Sequence, residues 1–312
     1  MRRTTVGSDA VTARPAERPA ARRWGRRLAA AAGLLALCAL PVGAAGATGT
    51  GPGRPHEPTS LYVSDYGNNR VVVLPTGGGA QTTVPFEGLV RPTGMAWDAG
   101  GRLYVSDTGN NRVVVLAAAG GGQSTVPTEG LSRPLGLAVA HDGDLFVADS
   151  FNDRIVRIAA SGGGQTTVPT SGLLHPWGLA LDAAGNLYIA DFVNDRVVRV
   201  AADGSGQSTV PTVGLSQPTG LALNSAGDLF VADSGNNRVV KVAADGGRQT
   251  TVPTDDLADP LGLALDGCGG LYIADGFHNR VVRVRETGGG QTTVPSTGLN
   301  TPTGLAFPPV RR

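Results

Sequence analysis

Short apolar runs, separated by polar and glycine-rich turns, recur along the chain from Leu61 to Phe307. In one stretch, Pro134-Leu135-Gly136-Leu137-Ala138-Val139 is apolar throughout, as a strand buried on both faces should be. The turn Ala140-His141-Asp142-Gly143-Asp144 follows, rich in residues that accept unusual backbone angles. Leu145-Phe146-Val147-Ala148-Asp149 predicts a second strand, and Ser150-Phe151-Asn152-Asp153 a second turn. Arg154-Ile155-Val156-Arg157-Ile158 predicts a third strand. A glycine-rich loop ending at Gly164 leads to a fourth, Gln165-Thr166-Thr167-Val168-Pro169.

This unit occurs six times without insertion or deletion. Its marker is an Asp followed five positions later by an Arg: Asp65/Arg70, Asp107/Arg112, Asp149/Arg154, Asp191/Arg196, Asp233/Arg238 and Asp275/Arg280, with 42 residues from each Asp to the next. Four short antiparallel strands repeating every ~40–45 residues predict the blades of a β-propeller. The first unit enters at Leu61, on its second strand. Pro302-Thr303-Gly304-Leu305-Ala306-Phe307 is a first strand with no blade after it. Pairing that strand with the N-terminal blade closes the ring and removes exposed edges. The expectation is therefore an all-β, six-bladed propeller over 61–307.

Several positions are constant. Ala96, Ala138, Ala180, Ala222, Ala264 and Ala306 stand in the middle of each first strand, where a small side chain suits strands crowded around one axis. Val-Pro ends each fourth strand, and proline on an outer edge discourages pairing with another molecule. The Asp of each Asp/Arg pair is expected to bond the amides of its own turn. The Arg would lie beside it, or beside the Asp of the next blade, as a charge-assisted bond. Sixfold repetition favours this structural role over a catalytic one.

The residues before the repeats are of another kind. Arg22, Arg23, Arg26 and Arg27 precede an apolar run from Leu28 to Leu40 and small residues ending in Ala45-Gly46-Ala47. This reads as an export signal over 1–47, its apolar run from Leu28 to Leu40 shorter than the ~20 residues of a spanning helix, with twin-arginine export open. A Gly- and Pro-rich linker over 48–60 and a short tail at 308–312 complete the division. The mature protein would be secreted or held at the cell envelope, with no membrane span, and Cys268 as its one cysteine. The whole chain has 26 basic and 25 acidic residues. From Leu61 onward the balance is 17 basic to 22 acidic. An acidic domain without a basic stripe argues against nucleic acid as a partner.

Gly185-Asn186-Leu187-Tyr188-Ile189-Ala190-Asp191, followed by Asn194-Asp195-Arg196-Val197-Val198-Arg199-Val200, resembles the NHL repeat, and the likeness covers nearly all of 61–307. Asn68-Asn69-Arg70 and its equivalents stand where that family carries its naming Asn-His-Leu. The style of these repeats, with Gln-Thr-Thr-Val-Pro and Gly-Leu-x-x-Pro, resembles the extracellular sensor domains of actinobacterial serine/threonine receptor kinases. That resemblance implies a six-bladed ring that binds something outside the cell. Related propellers also include lactonases, strictosidine-synthase-like proteins and the peptide-amidating lyase.

Connectivity places the second-to-third-strand turns and the blade-to-blade crossings on one face, around the channel mouth. Two positions there vary while the scaffold does not. The residue before Pro-x-Gly reads Arg91, Arg133, His175, Gln217, Asp259 and Thr301, and the x position reads Thr93, Leu135, Trp177, Thr219, Leu261 and Thr303. The turns add Tyr66, Phe151, Phe192 and Phe277. Phe151, His175, Trp177 and Phe192, flanked by Arg133, form a candidate ligand patch; Arg91, Gln217 and Asp259 extend it. The alternative is that these aromatics only fill the channel mouth or cover blade edges. Trp97 aligns with Val139 and Leu181 and is expected in the core.

The favoured function is a non-catalytic binding or sensing module, expected to be monomeric, for a protein, peptide or envelope polysaccharide. A metal-dependent lactonase or lyase is the alternative. Of the four histidines, His56 is in the linker and His141 on the opposite face, which leaves His175 and Asp259 as axial candidates, with His278 in a turn, against the three or four ligands a zinc site needs. No cofactor or metal is predicted, and no serine elbow is present. A structural scaffold in an envelope assembly is a third possibility.

Overall fold

The structure, a computed structural model, describes residues 60–118, 121–161 and 164–309. The expected export signal lies outside these residues, as do the linker up to residue 59 and the last three residues of the tail.

Twenty-four strands form six four-stranded antiparallel sheets set around one axis, an all-β six-bladed propeller. Blade 2 runs Pro92–Trp97, Leu103–Asp107, Arg112–Leu116 and Gln123–Thr125 from axis to rim. Blades 3 to 6 begin with their inner strands at Pro134–Val139, Pro176–Leu181, Pro218–Leu223 and Pro260–Leu265. Blade 1 is built from both ends of the domain. Its inner strand is Pro302–Ala306, paired antiparallel with Ser60–Asp65 through Tyr62↔Ala306 and Val63↔Leu305.

The core lies between blades rather than within them, because each thin sheet must bury both faces against neighbours. Ala138, Phe146 and Ile155 of blade 3 pack against Leu179, Ile189 and Val198 of blade 4. At the seam, Leu61, Val63 and Leu305 of blade 1 pack against Tyr272, Ala274 and Val281 of blade 6 in the same way. Trp97 is half-buried against the cluster shared by blades 1 and 2, with Tyr62 edge-on at 4.9 Å.

The crowding at the axis falls on a different residue from the one expected. The alanines of the inner strands face the neighbouring blade. Glycine two positions earlier is the residue nearest the axis. A Cβ on Gly94, Gly136, Gly178, Gly220, Gly262 or Gly304 would lie 2.0–2.3 Å from the next blade's backbone carbonyl oxygen, in a circle that closes from Gly304 onto Thr93. Each inner strand bulges there: its Pro opposes the second-strand Asp, and regular pairing resumes three residues on.

The fourth strands are shorter than the sequence suggests, two or three residues each, such as Gln165–Thr167 and Thr82–Thr83. The Val of Val-Pro lies beyond the strand and is buried, as at Val168, whose N–H still bonds Ile155. The Gln that opens this strand reaches across to the preceding blade. Gln123 donates through Nε2 to the Glu87 carbonyl at 3.0 Å and accepts the Glu87 N–H through Oε1 at 2.8 Å. Gln165, Gln207, Gln249 and Gln291 do the same. Gln81 does it across the seam, to Thr297.

Candidate ligand-binding face

Each crossing from the rim of one blade to the axis of the next is clamped by the Asp/Arg pair. Asp107, fully buried, accepts Arg112 Nε at 2.7 Å and Asn110 Nδ2 at 2.8 Å. Its other oxygen accepts the Val90 N–H at 2.7 Å. That amide belongs to the crossing and not to the Asp's own turn, which corrects the expected local bond. Asn110 Nδ2 also donates to the Gly88 carbonyl. Asp149, Asp191, Asp233 and Asp275 hold Ser132, Leu174, Ser216 and Ala258 in the same manner. Asp65 holds Asn300 across the seam at 2.7 Å, so the same clamp closes the ring.

The arginines choose between the two partners that the spacing left open. Arg70, Arg154, Arg196, Arg238 and Arg280 each lie beside the Asp of their own blade, as Arg112 does, with Nε 2.6–2.7 Å from its carboxylate. None of the six pairs with the Asp of the next blade. Their terminal nitrogens do a second task absent from the expectation, donating to a carbonyl of the incoming crossing. Arg238 reaches Gly214 at 2.9 Å, and Arg196 reaches Gly172 at 2.8 Å. Arg280 departs from the other five, because Asp256 stands where they meet a glycine. Arg280 Nη2 donates to the Asp256 carbonyl at 2.5 Å and lies 3.8 Å from its carboxylate.

The residue after each clamped amide is the variable one. Its N–H is taken by an Asn or Asp of the blade being left: Asn69 for Arg91, Asn111 for Arg133, Asp153 for His175. The pattern continues with Asp195 for Gln217, Asn237 for Asp259 and Asn279 for Thr301. With adjacent amides anchored from both sides, the residue is driven into the left-handed region. Arg91, Arg133, His175, Gln217, Asp259 and Thr301 have φ between 46° and 55°. A β-branched Thr is an outlier there, and Arg and Gln are uncommon. The anchoring turn residues Asn69, Asn111, Asp153, Asp195, Asn237 and Asn279 share the left-handed conformation, with φ between 51° and 55°.

Around the mouth the structure joins three groups of side chains. The Arg91 guanidinium carbon lies 5.9 Å from the Tyr66 ring centroid. Arg133 covers Phe151 at 4.7 Å, and Phe151 meets His175 edge-on at 4.9 Å. Trp177 lies tilted against Phe192 at 5.2 Å; it is half-buried and also lines the channel. Gln217 is one crossing further round. Asp259 is three crossings from Arg133, on the opposite side of the mouth. Burial first, and then repulsion from Asp275, pushes the Asp259 carboxyl above the usual carboxylate range.

The channel itself holds a cavity of only about 100 Å³, lined by the axial glycines with Leu, Thr and Trp177. Thr93 and Thr219 spend their hydroxyls on buried bonds, to Thr108 and Ser234 at 2.7 Å. Large exposed apolar side chains gather on the face above: Val90, Phe151, Leu174, Val193 and Phe277, with Val213 toward the rim. Val90, Leu174 and Val193 were not legible as candidates, because surrounding polar loop residues mask them in the sequence. Among the described residues no three His, Cys, Asp or Glu side chains are grouped to hold a metal ion. His278 occupies the clamp Asn position of blade 6, 3.0 Å from Asp275 and 3.9 Å from Asp256. It is separated from His175 by two crossings.

The pattern of the virginiamycin B lyase family matches residues 56–299, most of the chain. The chain belongs to the virginiamycin B lyase family. Several solved structures share the fold of this family member. A chain of the nidogen/laminin complex aligns over 79% of this chain and 97% of its own, at 22% identity and a TM-score of 0.71. A streptogramin B lyase aligns over 78% and 76%, at 19% identity and a TM-score of 0.56. A catalytically inactive histidine-to-alanine variant of virginiamycin B lyase from Staphylococcus aureus, with quinupristin, aligns over 68% and 73%, at 19% identity and 0.55. Identities of this size carry the fold and not the chemistry. No curated protein matches the chain.

Proposed function

We propose that this member of the family is an exported, non-catalytic recognition propeller that takes its ligand at the channel mouth, on the face carrying the crossings. One observation carries the reading. A clamp built on the same Asp/Arg pair in every blade holds six variable residues at left-handed backbone angles, so one scaffold displays side chains that differ from blade to blade. The narrow channel favours a ligand seated on the face rather than inside it. The resemblance to receptor-kinase sensor domains supports the same reading.

The test is capture from an envelope extract by the purified domain, compared with His175→Ala/Trp177→Ala. The double variant should lose the captured species while keeping a cooperative melt. Unchanged capture by a folded variant would refute the site.

A lyase is the second reading, favoured by family membership and by the strained His175 beside the mouth. Its substrate would be a compound of the quinupristin type. Conversion of quinupristin by the purified chain, abolished by His175→Ala and followed by chromatography and mass spectrometry, would establish it in place of the first. An unchanged quinupristin peak at high protein concentration leaves recognition as the function.

A further inference from the structure

We infer that the ligand is a polypeptide segment carrying carboxylates beside apolar side chains, docked on the arc from Arg91 to Val193. This rests on the channel-mouth reading and adds the chemistry of the partner.

The first observation is electrostatic. The six clamp arginines each have a carboxylate partner at 2.6–2.7 Å. Arg91 and Arg133 are exposed and have none among the described residues. Each instead lies by an aromatic ring, 5.9 Å from the Tyr66 centroid for Arg91 and 4.7 Å from the Phe151 centroid for Arg133, which restricts the guanidinium without using its N–H donors on a carboxylate. An Arg steadied in this way forms bidentate bonds to a carboxylate with less ordering cost than a free one. Asp255, Asp256 and Asp259 lie at one crossing, three from Arg133 and two from Arg91. Exposed Asp153 and Asp195 also stand in the turns of the arc, so the attraction for a carboxylate is local to Arg91 and Arg133 rather than spread over half of the face.

The second observation is the apolar surface interleaved with those arginines. Val90 and Leu174 are each next to a displayed residue, and Phe151 and Val193 stand in the adjoining turns, half or nearly half exposed. Within this arc the aromatic rings are engaged on at least one face, while the more exposed Phe277 stands outside it, at the Asp259 crossing. Arg133 covers the Phe151 face, and Trp177 and Phe192 cover each other. Stacking of a sugar ring needs an open aromatic face, whereas aliphatic and aromatic side chains of a peptide can fill gaps between these exposed groups. The arrangement favours polypeptide over polysaccharide.

The test is selection of a phage-displayed random dodecapeptide library on the immobilised full chain. The enriched sequences are then synthesised and titrated by fluorescence anisotropy. The variant is Arg91→Asn/Arg133→Asn, because Asn accepts the left-handed backbone while removing the guanidinium, together with the stem that carries it over Tyr66 and Phe151. Enriched peptides should combine Asp or Glu with Leu, Phe or similar residues. Their affinity should fall about 10- to 100-fold in the double variant, as for loss of charged hydrogen bonds, and fall with added salt. A basic or uncharged consensus, or acidic peptides insensitive to the double variant, overturns the inference. Such peptides would still leave the channel-mouth reading standing if His175→Ala/Trp177→Ala releases them. Enrichment of no peptide, with retention of an envelope polysaccharide through His175 and Trp177, likewise overturns the polypeptide and keeps the site. Binding that ignores both double variants overturns both.

Discussion

Placing one methyl group at the axis should destabilise the whole ring. In Gly178→Ala the new Cβ would lie 2.1 Å from the Thr219 carbonyl oxygen of blade 5. An ordinary carbon–oxygen contact needs roughly 3.3 Å, so the neighbouring strand must recede by about 1 Å. It has little room, because the contacts run round a closed circle and Gly220 is pressed in turn against Leu261. Overpacking of this sort costs about 1–3 kcal/mol, and more where backbone is the obstacle. The loss of unfolded-chain freedom offsets roughly 0.4–1 kcal/mol. These ranges leave a net of about 0–2.6 kcal/mol, and the backbone obstacle puts Gly178→Ala in its upper part, about 1–2.6 kcal/mol, a fall in Tm of about 2–10 °C for a domain of this size. Differential scanning calorimetry is the assay, with Gly77→Ala as the control, since a Cβ there meets nothing within 4 Å. Equal melting of Gly178→Ala and Gly77→Ala would refute the axial packing.

Three other outcomes are expected. Asp107→Ala strands the Val90 amide, Asn110 and Arg112 at once, and should cost on the order of 2–3 kcal/mol, discounted for the partial exposure of Arg112; urea unfolding measures it. Truncation before Asn300 removes the inner strand of blade 1, including buried Leu305, and should abolish the cooperative thermal transition seen by circular dichroism. The raised pKa of Asp259 means that the fold favours its protonated form. Its contribution is full below the ordinary carboxylate pKa and is lost as pH rises through the folded value. Asp259→Asn should therefore melt higher than the wild type at pH 7, with the gain vanishing toward about pH 3.5; a gain that is the same at both pH values would count against the buried charge.

Much of the architecture was legible. Runs such as Leu145–Asp149 and Arg154–Ile158 are strands at the expected positions, because a sheet buried on both faces tolerates only such runs. The half-blade at each end announced the seam. The misassigned details share a cause. Ala138 and Gly136 are both small and both repeated, and only the bulge decides which one meets the axis. Gln123 looks like an ordinary exposed strand residue until Glu87 of the preceding blade is set beside it. Arg238 and Arg280 read as equivalent members of one series, yet only the folded crossing shows that one meets Gly214 and the other Asp256. The Pro-x-Gly glycine and the strand-opening Gln were visible as constants in every repeat, and their constancy was the available signal.

The sequence alone determined the number of blades, their strand order and the positions free to vary, because periodicity and patterning are local properties of a repeated chain. Tertiary structure alone decided which amides each Asp clamps and that the displayed residues are forced left-handed. It also decided that Arg133, Phe151 and His175 meet while Asp259 stands across the mouth. Those facts depend on contacts between blades, whose distances arise only when the ring is closed.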